Sequence, residues 1–289
     1  MTPPARPVIF HHHGFKCAGT TLSAILEHNF PGAVLYVEAD RPSHRLPWQA
    51  TVRTITRTTP QAVSSHLATV PARGESLARM HVGFVREPRA RLVSAFLFQK
   101  ATADRDVEGH DFIRFLEHNR HGRVANYQTR HLSVQDHGGW QRRQGWEARP
   151  ELLSFSRPDL FVGVVERMDE SLLVLERRLG AVGIPFDAAW LEAQNVTPAN
   201  ARLLEVMRSQ VPDDMVELDD VLYCRANAAL TMAVRRLGIS PEDLYDFRQR
   251  AVHAATHNPP VVVPDPATWT YLPTTLGARY PSPRIQPDP

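Results

Sequence analysis

Residues 8 to 26 constrain this chain more than any other stretch. Val8-Ile9-Phe10 opens an apolar run behind Pro3, Pro4 and Pro7, which resist helix and strand alike, and we read Pro7 to His12 as a buried strand. Gly14-Phe15-Lys16-Cys17-Ala18-Gly19-Thr20-Thr21 follows, then Leu22, Ile25 and Leu26 at helical spacing. A strand that feeds a glycine loop and then a helix leaves the first N–H groups of that helix unpaired and facing outward. Such a turn receives an anion, phosphate or sulfate above all. Gly14 and Gly19 have the separation of the P-loop pattern GxxxxGK[ST], yet Thr20 occupies the lysine position and the nearby lysine is Lys16. In an NTPase that lysine bridges the terminal phosphates while the next hydroxyl holds magnesium. Moved into the loop, a cation at Lys16 sits over the phosphate nearest the helix and can neutralise charge on a departing oxygen. Taken alone, the same residues also fit a plain helix cap with a solvated lysine.

Further apolar, β-branched runs at Ala33 to Val37, Val82 to Val85 and Leu160 to Val165 alternate with helical segments, which argues for parallel pairing. Pro88 sits at a first-turn position before Leu92, Val93 and Phe96, and Asp111 caps Phe112, Phe115 and Leu116. Leu172, Leu175 and Leu179 mark another helix, ended by Gly180. From about Asn200 to Leu237 the pattern is helical throughout. The expected fold is therefore α/β: a P-loop-like central parallel sheet flanked by helices, with a helical C-terminal part. Residues 1–257 are expected to form one domain. Beyond it, 9 of the 24 prolines lie at or after Pro259, so residues 258–289 are expected to be an extended arm or tail without regular elements.

Composition narrows the partners. Against 31 acidic residues stand 33 Lys and Arg, a formal charge of +2 that offers no global field for a polyanion, so nucleic acid is not an expected partner. Cys17 and Cys224 make neither a disulfide framework nor a zinc cluster, which fits a reducing compartment. No apolar stretch approaches the length of a membrane span, and a cytoplasmic protein is expected. Oligomeric state is not legible.

A second constellation, Arg86-Glu87-Pro88-Arg89-Ala90-Arg91-Leu92-Val93-Ser94, lies at the exit of the strand ending at Val85. Ligands of open α/β sheets bind at such strand ends. Arg86 and Ser94, two turns apart, can converge on one phosphate through a guanidinium fork and a hydroxyl. An Arg-rich, ion-paired surface turn is the alternative.

Together, His13-Gly14-Phe15-Lys16-Cys17-Ala18-Gly19-Thr20-Thr21-Leu22 and the segment from Arg86 to Ser94 resemble the two signature motifs of sulfotransferases that use 3′-phosphoadenosine 5′-phosphosulfate (PAPS). The resemblance is to the carbohydrate-type branch that includes heparan sulfate 2-O-sulfotransferases and related bacterial proteins. Asn126-Tyr127-Gln128-Thr129-Arg130 and the segment from Val162 to Ser171 resemble recurrent stretches of that branch. The resemblance spans roughly residues 8 to 235. It implies that Lys16, Cys17, Ala18, Gly19, Thr20 and Thr21 cradle the 5′-phosphosulfate, with Arg86 and Ser94 on the 3′-phosphate. Phe15 departs from it, standing where many relatives have proline, and Glu87 stands where they usually have aspartate.

Sulfuryl transfer needs a base for the acceptor proton, a cation for the leaving phosphate oxygen and alignment across sulfur; it demands no metal. Lys16 fits the second role. Histidine suits the first, since its pKa lies close to neutrality. Of 14 histidines, His66 in Ser64-Ser65-His66-Leu67 is the leading candidate, because the resemblance implies a catalytic histidine in that interval; an exposed loop histidine is the bland alternative. His13 is the second candidate, helping the donor loop or touching the acceptor. His11-His12-His13 also looks like a metal run, but alternate side chains of a strand face opposite ways, so the three cannot easily share one ion. Arg130 and Trp140 are weak acceptor-binding candidates, the latter with Trp146, Arg142 and Arg143 nearby to stack on a sugar or grip an anion. Glu166 and Arg167 read as a fold-stabilising pair. The expected activity is transfer from PAPS to a hydroxyl of a carbohydrate or glycosylated metabolite. An ATP-dependent P-loop kinase is the rival enzyme, opposed by Thr20 and by the want of a magnesium-holding acidic motif. A non-catalytic nucleotide-binding module is the third reading.

Overall fold

The computed structural model describes residues 7–40, 46, 48–68, 70–71, 78–102, 109–120, 122, 124–132, 134–135, 155–189, 201–257 and 261–273. In chain order the elements are β1 (Ile9–His12), α1 (Gly19–Asn29), β2 (Val34–Ala39), α2 (Trp48–Thr58), β3 (Ala62–Ser65), β4 (Val70–Pro71), β5 (Met80–Val85), α3 (Pro88–Thr102), α4 (Gly109–Asn119) and α5 (Tyr127–Leu132). They continue with β6 (Val134–Gln135), β7 (Leu160–Val164), α6 (Met168–Gly180), α7 (Ala201–Ser209), α8 (Glu217–Arg236), α9 (Pro241–His257) and β8 (Thr270–Leu272).

Six strands form a parallel sheet in the order β7-β5-β1-β3-β2-β8, with the two-residue strands β4 and β6 paired separately. The strands are buried on both faces, as the continuous apolar runs required. Successive side chains of β1 enter different cores. Ile9 joins the cluster built from Leu22, Ile25 and Leu26 of α1, Leu172 and Leu175 of α6, Leu222 of α8 and Phe247 of α9. Phe10 joins the smaller one on the other face, with Val63, Val37, Leu272 and Ile55 of α2. A third cluster binds α3, α4 and α7 through Phe96, Phe112, Phe115 and Met207, and Phe15 of the glycine loop packs against it. The expected α/β fold with a central parallel sheet, flanking helices and a helical C-terminal part is thus what the chain adopts.

Registry decides where the chemistry collects. His12 of β1 stands opposite Ser65 of β3 and Gly83 of β5, while Val85 of β5 stands opposite Val164 of β7. The residues just beyond these strands, His13, His66, Arg86 and Val165, therefore emerge along one edge of the sheet, the C-terminal edge where open α/β folds take their ligands. From β1 the chain crosses to β2 on one side of β1, and from β5 it crosses to β7 on the other. The crevice created by that reversal lies between β1 and β5.

Several elements, α5 and the two-residue β4 and β6 among them, were not read from the sequence. α2 and the four-residue β3 went unassigned, and β8 overturns the expectation that the proline-dense segment beyond 257 carries no regular element. Pro264 and Pro266 precede the strand, and Thr270–Leu272 pairs with Val37–Ala39 at the sheet edge, where one side of the backbone needs no partner.

Candidate active site

The loop between β1 and α1 turns through two left-handed non-glycine residues, Lys16 at φ 61° and Ala18 at φ 58°. Each costs about 1–2 kcal/mol of backbone strain, which the surroundings offset by tying the loop down. Cys17 N–H donates to Gly14 O at 3.1 Å. Phe15 N–H donates to Tyr127 Oη at 3.0 Å, a bond that a proline at this position could not make for want of an N–H. α1 begins at Gly19 with no side-chain cap and no acidic residue in its first turn, so its N-terminal donors face the loop without a resident anion.

Gly19 is required by its neighbour. A Cβ there would lie 2.0 Å from His13 Cδ2, so the imidazole lies flat against the start of α1. Burial first, and then the neighbouring His66, His11 and His131, hold His13 well below the ordinary histidine range. It is therefore neutral at pH 7.

Lys16 extends over the Phe98 ring of α3, its Nζ 4.5 Å from the centroid, and Phe15 meets the same ring edge-on at 5.6 Å. Partial burial, followed by the positive charge of Arg86, lowers the Lys16 pKa. Two cations held close enough to oppose each other mark the crevice as anion-receptive. Ser94 lies one helical turn before Phe98, on the face of α3 that meets the loop.

Arg86 follows β5. Among the described residues its buried Nε has no hydrogen-bond partner, and Glu166 Oε1 lies 4.0 Å away. Its backbone is fixed by Gln128 of α5. Arg86 N–H donates to Gln128 Oε1 at 2.6 Å, and Gln128 Nε2 donates to Arg86 O at 2.9 Å. The Cys17 thiol donates to that same Gln128 Oε1 at 3.4 Å. One amide thus joins the glycine loop to the second motif. Gln128 is in turn fixed by the buried Asp219 of α8, whose carboxylate accepts from Gln128 N at 3.2 Å and Thr129 N at 2.8 Å. Burial pushes the Cys17 thiol up to about 12, so it is a donor to Gln128 and not a nucleophile.

The other residues of the second motif hold the scaffold. Glu87 caps α3, accepting from Arg89 N at 3.0 Å and Ala90 N at 2.6 Å, a task its extra methylene relative to aspartate does not prevent. Arg89 pairs with Asp213 and Asp220, and the fully buried Arg91 donates to Val124 O. Glu166 and Arg167 do not pair with each other, which corrects that expectation. Glu166 accepts from Glu87 N and Tyr223 Oη, whereas Arg167 turns away to Glu170, Asn227 O and Thr231.

On the far side of β1, His66 follows β3. Its Nδ1 lies 2.9 Å from Oε1 of the buried Glu38 on β2, and its backbone N–H donates to the same oxygen at 2.6 Å. A carboxylate only accepts, so Nδ1 carries the proton and Nε2 presents a lone pair. Two rings pack against it, His13 at 4.0 Å and Trp269 at 5.1 Å between centroids, while the side chain keeps 37% of its surface exposed. Here the structure departs from the picture of a plain loop histidine.

The histidine run divides as strand geometry demands. His11 stacks on His13 at 5.0 Å and bonds to Ser64, while His12 faces the opposite core and meets His81 at 3.0 Å. Among the described residues no cluster of three or more His, Cys, Asp or Glu side chains could hold a metal. Arg130 donates to Gly122 O at 2.9 Å, which fixes the turn before α5. Trp140, with Arg142, Arg143 and Trp146, lies outside the described residues. Glu38, Gln128, Asp219 and Trp269 were not singled out from the sequence. No spacing signal marks Glu38, Asp219 or Trp269; Gln128 lay inside the quoted Asn-Tyr-Gln-Thr-Arg stretch, where only Arg130 had been given a role.

Fold and edge together describe an α/β chain with an anion-receptive crevice flanked by an oriented imidazole. No family model matches the chain, and no curated protein does. Among solved structures it is similar to a sulfotransferase from Alicyclobacillus acidocaldarius, at 14% identity and a TM-score of 0.39, over 76% of this chain and 96% of that one. At that distance, a functional reading has to stand on this chain's own residues. Among the described residues no helix is long and apolar enough to cross a membrane.

Proposed function

We propose that this chain is a PAPS-dependent sulfotransferase acting in the cytoplasm on a hydroxyl of a carbohydrate or glycosylated metabolite. The observation that carries the reading is the placement of Lys16, Arg86 and His66 on three neighbouring strand ends. Two cations line the crevice between β1 and β5, and an imidazole whose Nδ1 is held by Glu38 stands on the other side of β1. PAPS, as co-substrate, brings the sulfuryl group. Loop residues 16–21 and the start of α1 would hold its 5′ end, and Arg86 with Ser94 its 3′-phosphate.

In the transfer, the acceptor oxygen forms a bond to sulfur as the bridging bond from sulfur to the 5′-phosphate oxygen breaks. That electron pair goes to the phosphate oxygen, where Lys16 neutralises it. The acceptor proton passes to His66 Nε2, and Glu38 stabilises the imidazolium that results. Such a base contributes about 10²–10⁴ in rate. His13, kept neutral, supplies a flat wall between donor loop and base.

The test pairs binding with turnover. Titration calorimetry with 3′-phosphoadenosine 5′-phosphate should show binding without magnesium, weakened about tenfold or more by Arg86→Ala, the loss of one charged hydrogen bond of about 1.5–3 kcal/mol. Labelled PAPS offered with a panel of sugar and glycoside acceptors should give a sulfated product. Lys16→Ala should abolish that product while the fold persists. Binding of ATP with magnesium and none of the bisphosphate would instead establish the kinase reading, and bisphosphate binding with no transfer to any acceptor would establish a binding module.

A further inference from the structure

Trp269 belongs to the proline-dense segment near the C-terminus, about two hundred residues from His66, yet its indole stacks on the His66 imidazole with centroids 5.1 Å apart and planes 15° from parallel. The indole also stacks on Tyr36 of β2 at 5.1 Å and 27°. The indole is itself held. Its Nε1–H donates to Pro264 O at 3.1 Å and its backbone N–H to Pro266 O at 3.2 Å. Asp265 caps the short turn between them by accepting from Ala267 N at 2.8 Å. Immediately afterwards β8 pairs with β2, placing Tyr271 opposite Glu38, the residue that orients His66. The side chain is 9% exposed, so the contact is a built wall and not a chance surface approach.

The consequence for His66 is geometric. Glu38 fixes one nitrogen but leaves the ring free to rotate about the axis through that bond. The His13 and Trp269 rings packed against it, at 4.0 and 5.1 Å between centroids, restrict that rotation. Holding a base in a single orientation before the acceptor arrives is a large part of its value.

We infer that Trp269 is a positioning residue for His66, and that residues 261–273 belong to the acceptor-activating side of the site. This rests on the reading of His66 as the base, and the experiment separates the two. The full-length chain is compared with Trp269→Phe, which keeps a flat ring, and Trp269→Leu, which keeps apolar bulk without one. Nitrogen-15 spectra of the imidazoles, with the His66 signals assigned by their loss in His66→Ala, report its tautomer and, through line width, its ring mobility. Release of labelled sulfate from PAPS, with water as acceptor, reports turnover, and calorimetry with 3′-phosphoadenosine 5′-phosphate reports the donor site.

The expected result is that the phenylalanine variant keeps the Nδ1–H tautomer and a rate close to that of the parent. The leucine variant should keep that tautomer but show broadened His66 ring signals and about tenfold slower sulfate release, within the range of a base's contribution, with bisphosphate affinity unchanged. His66 signals in the leucine variant identical to those of the parent would overturn the inference, as would equal losses of rate in both variants. If His66→Ala releases sulfate at the parental rate while the leucine variant still broadens the His66 ring signals, the assignment of the base falls and the positioning role stands.

Discussion

At the scale of single residues, the site depends on close approaches that tolerate no added atom. Gly19 shows this most sharply, since its own backbone would accept alanine but the His13 ring occupies the space at 2.0 Å. The imidazole would have to move, and with it the wall that faces His66 at 4.0 Å. Gly19→Ala is expected to destabilise the chain by about 1–3 kcal/mol, as an overpacked contact does. It should also weaken binding of 3′-phosphoadenosine 5′-phosphate, because the start of α1 shifts with the ring. Urea unfolding and calorimetry check the two effects, and an unchanged affinity would mean that His13 has room to withdraw without disturbing the loop. Ala18 presents the opposite case. At φ 58° it bears strain that glycine would not, so Ala18→Gly should raise stability by about 1 kcal/mol in the same unfolding assay.

At the scale of elements, the two motifs are not independent ligands on separate loops. α5 joins them, because Gln128 holds Arg86 through both backbone groups and takes the Cys17 thiol on the same amide oxygen. Asp219 on α8 then fixes the start of α5 through two further N–H groups. Gln128→Ala leaves the half-buried Arg86 N–H without its partner, a loss of about 1 kcal/mol. Donor affinity is expected to fall with it even though no ligand-binding group has been removed. Gln128→Glu keeps the acceptor and loses the donor to Arg86 O, so its loss should be partial. Equal affinities for the parent and the alanine variant would show that loop and strand end hold their positions separately.

At the scale of the whole molecule, the sheet buries an unusual number of imidazoles. Burial is the first cause that lowers the pKa of His11, His13 and His81 well below that of an exposed histidine, with neighbouring imidazoles adding to it. In the unfolded chain each takes up a proton near pH 6.5, and in the folded chain only at much lower pH. The unfolded state therefore binds more protons across that window, so stability is fully present above about pH 6.5 and is lost as pH falls below it, by up to about 1.4 kcal/mol per pH unit for each histidine. Thermal melting should be level with pH above 7 and drop steeply between pH 6.5 and 5. His81→Asn, on the face away from the site, should flatten that drop; a curve as steep as the parent's would place the acid sensitivity elsewhere.

The local content of the fold was written in order along the chain. Apolar runs marked β1, β2, β5 and β7, helical spacing marked α1, α3 and α6, and the displaced lysine with the arginine motif marked the crevice, because each of these signals comes from residues adjacent in sequence. What could not be read was whatever depended on registry between distant segments. Glu38 is one acidic residue among 31 until β2 aligns it with His66, and Trp269 sits in a segment whose prolines argued against any strand at all. Sequence by itself determined a strand, loop and helix able to receive an anion. Only the tertiary structure decided which histidine has a carboxylate behind it and two aromatic rings packed against it. The reason is physical: hydrogen bonds and stacking act over a few ångströms, and parallel pairing is what brings residues 38, 66 and 269 within that reach.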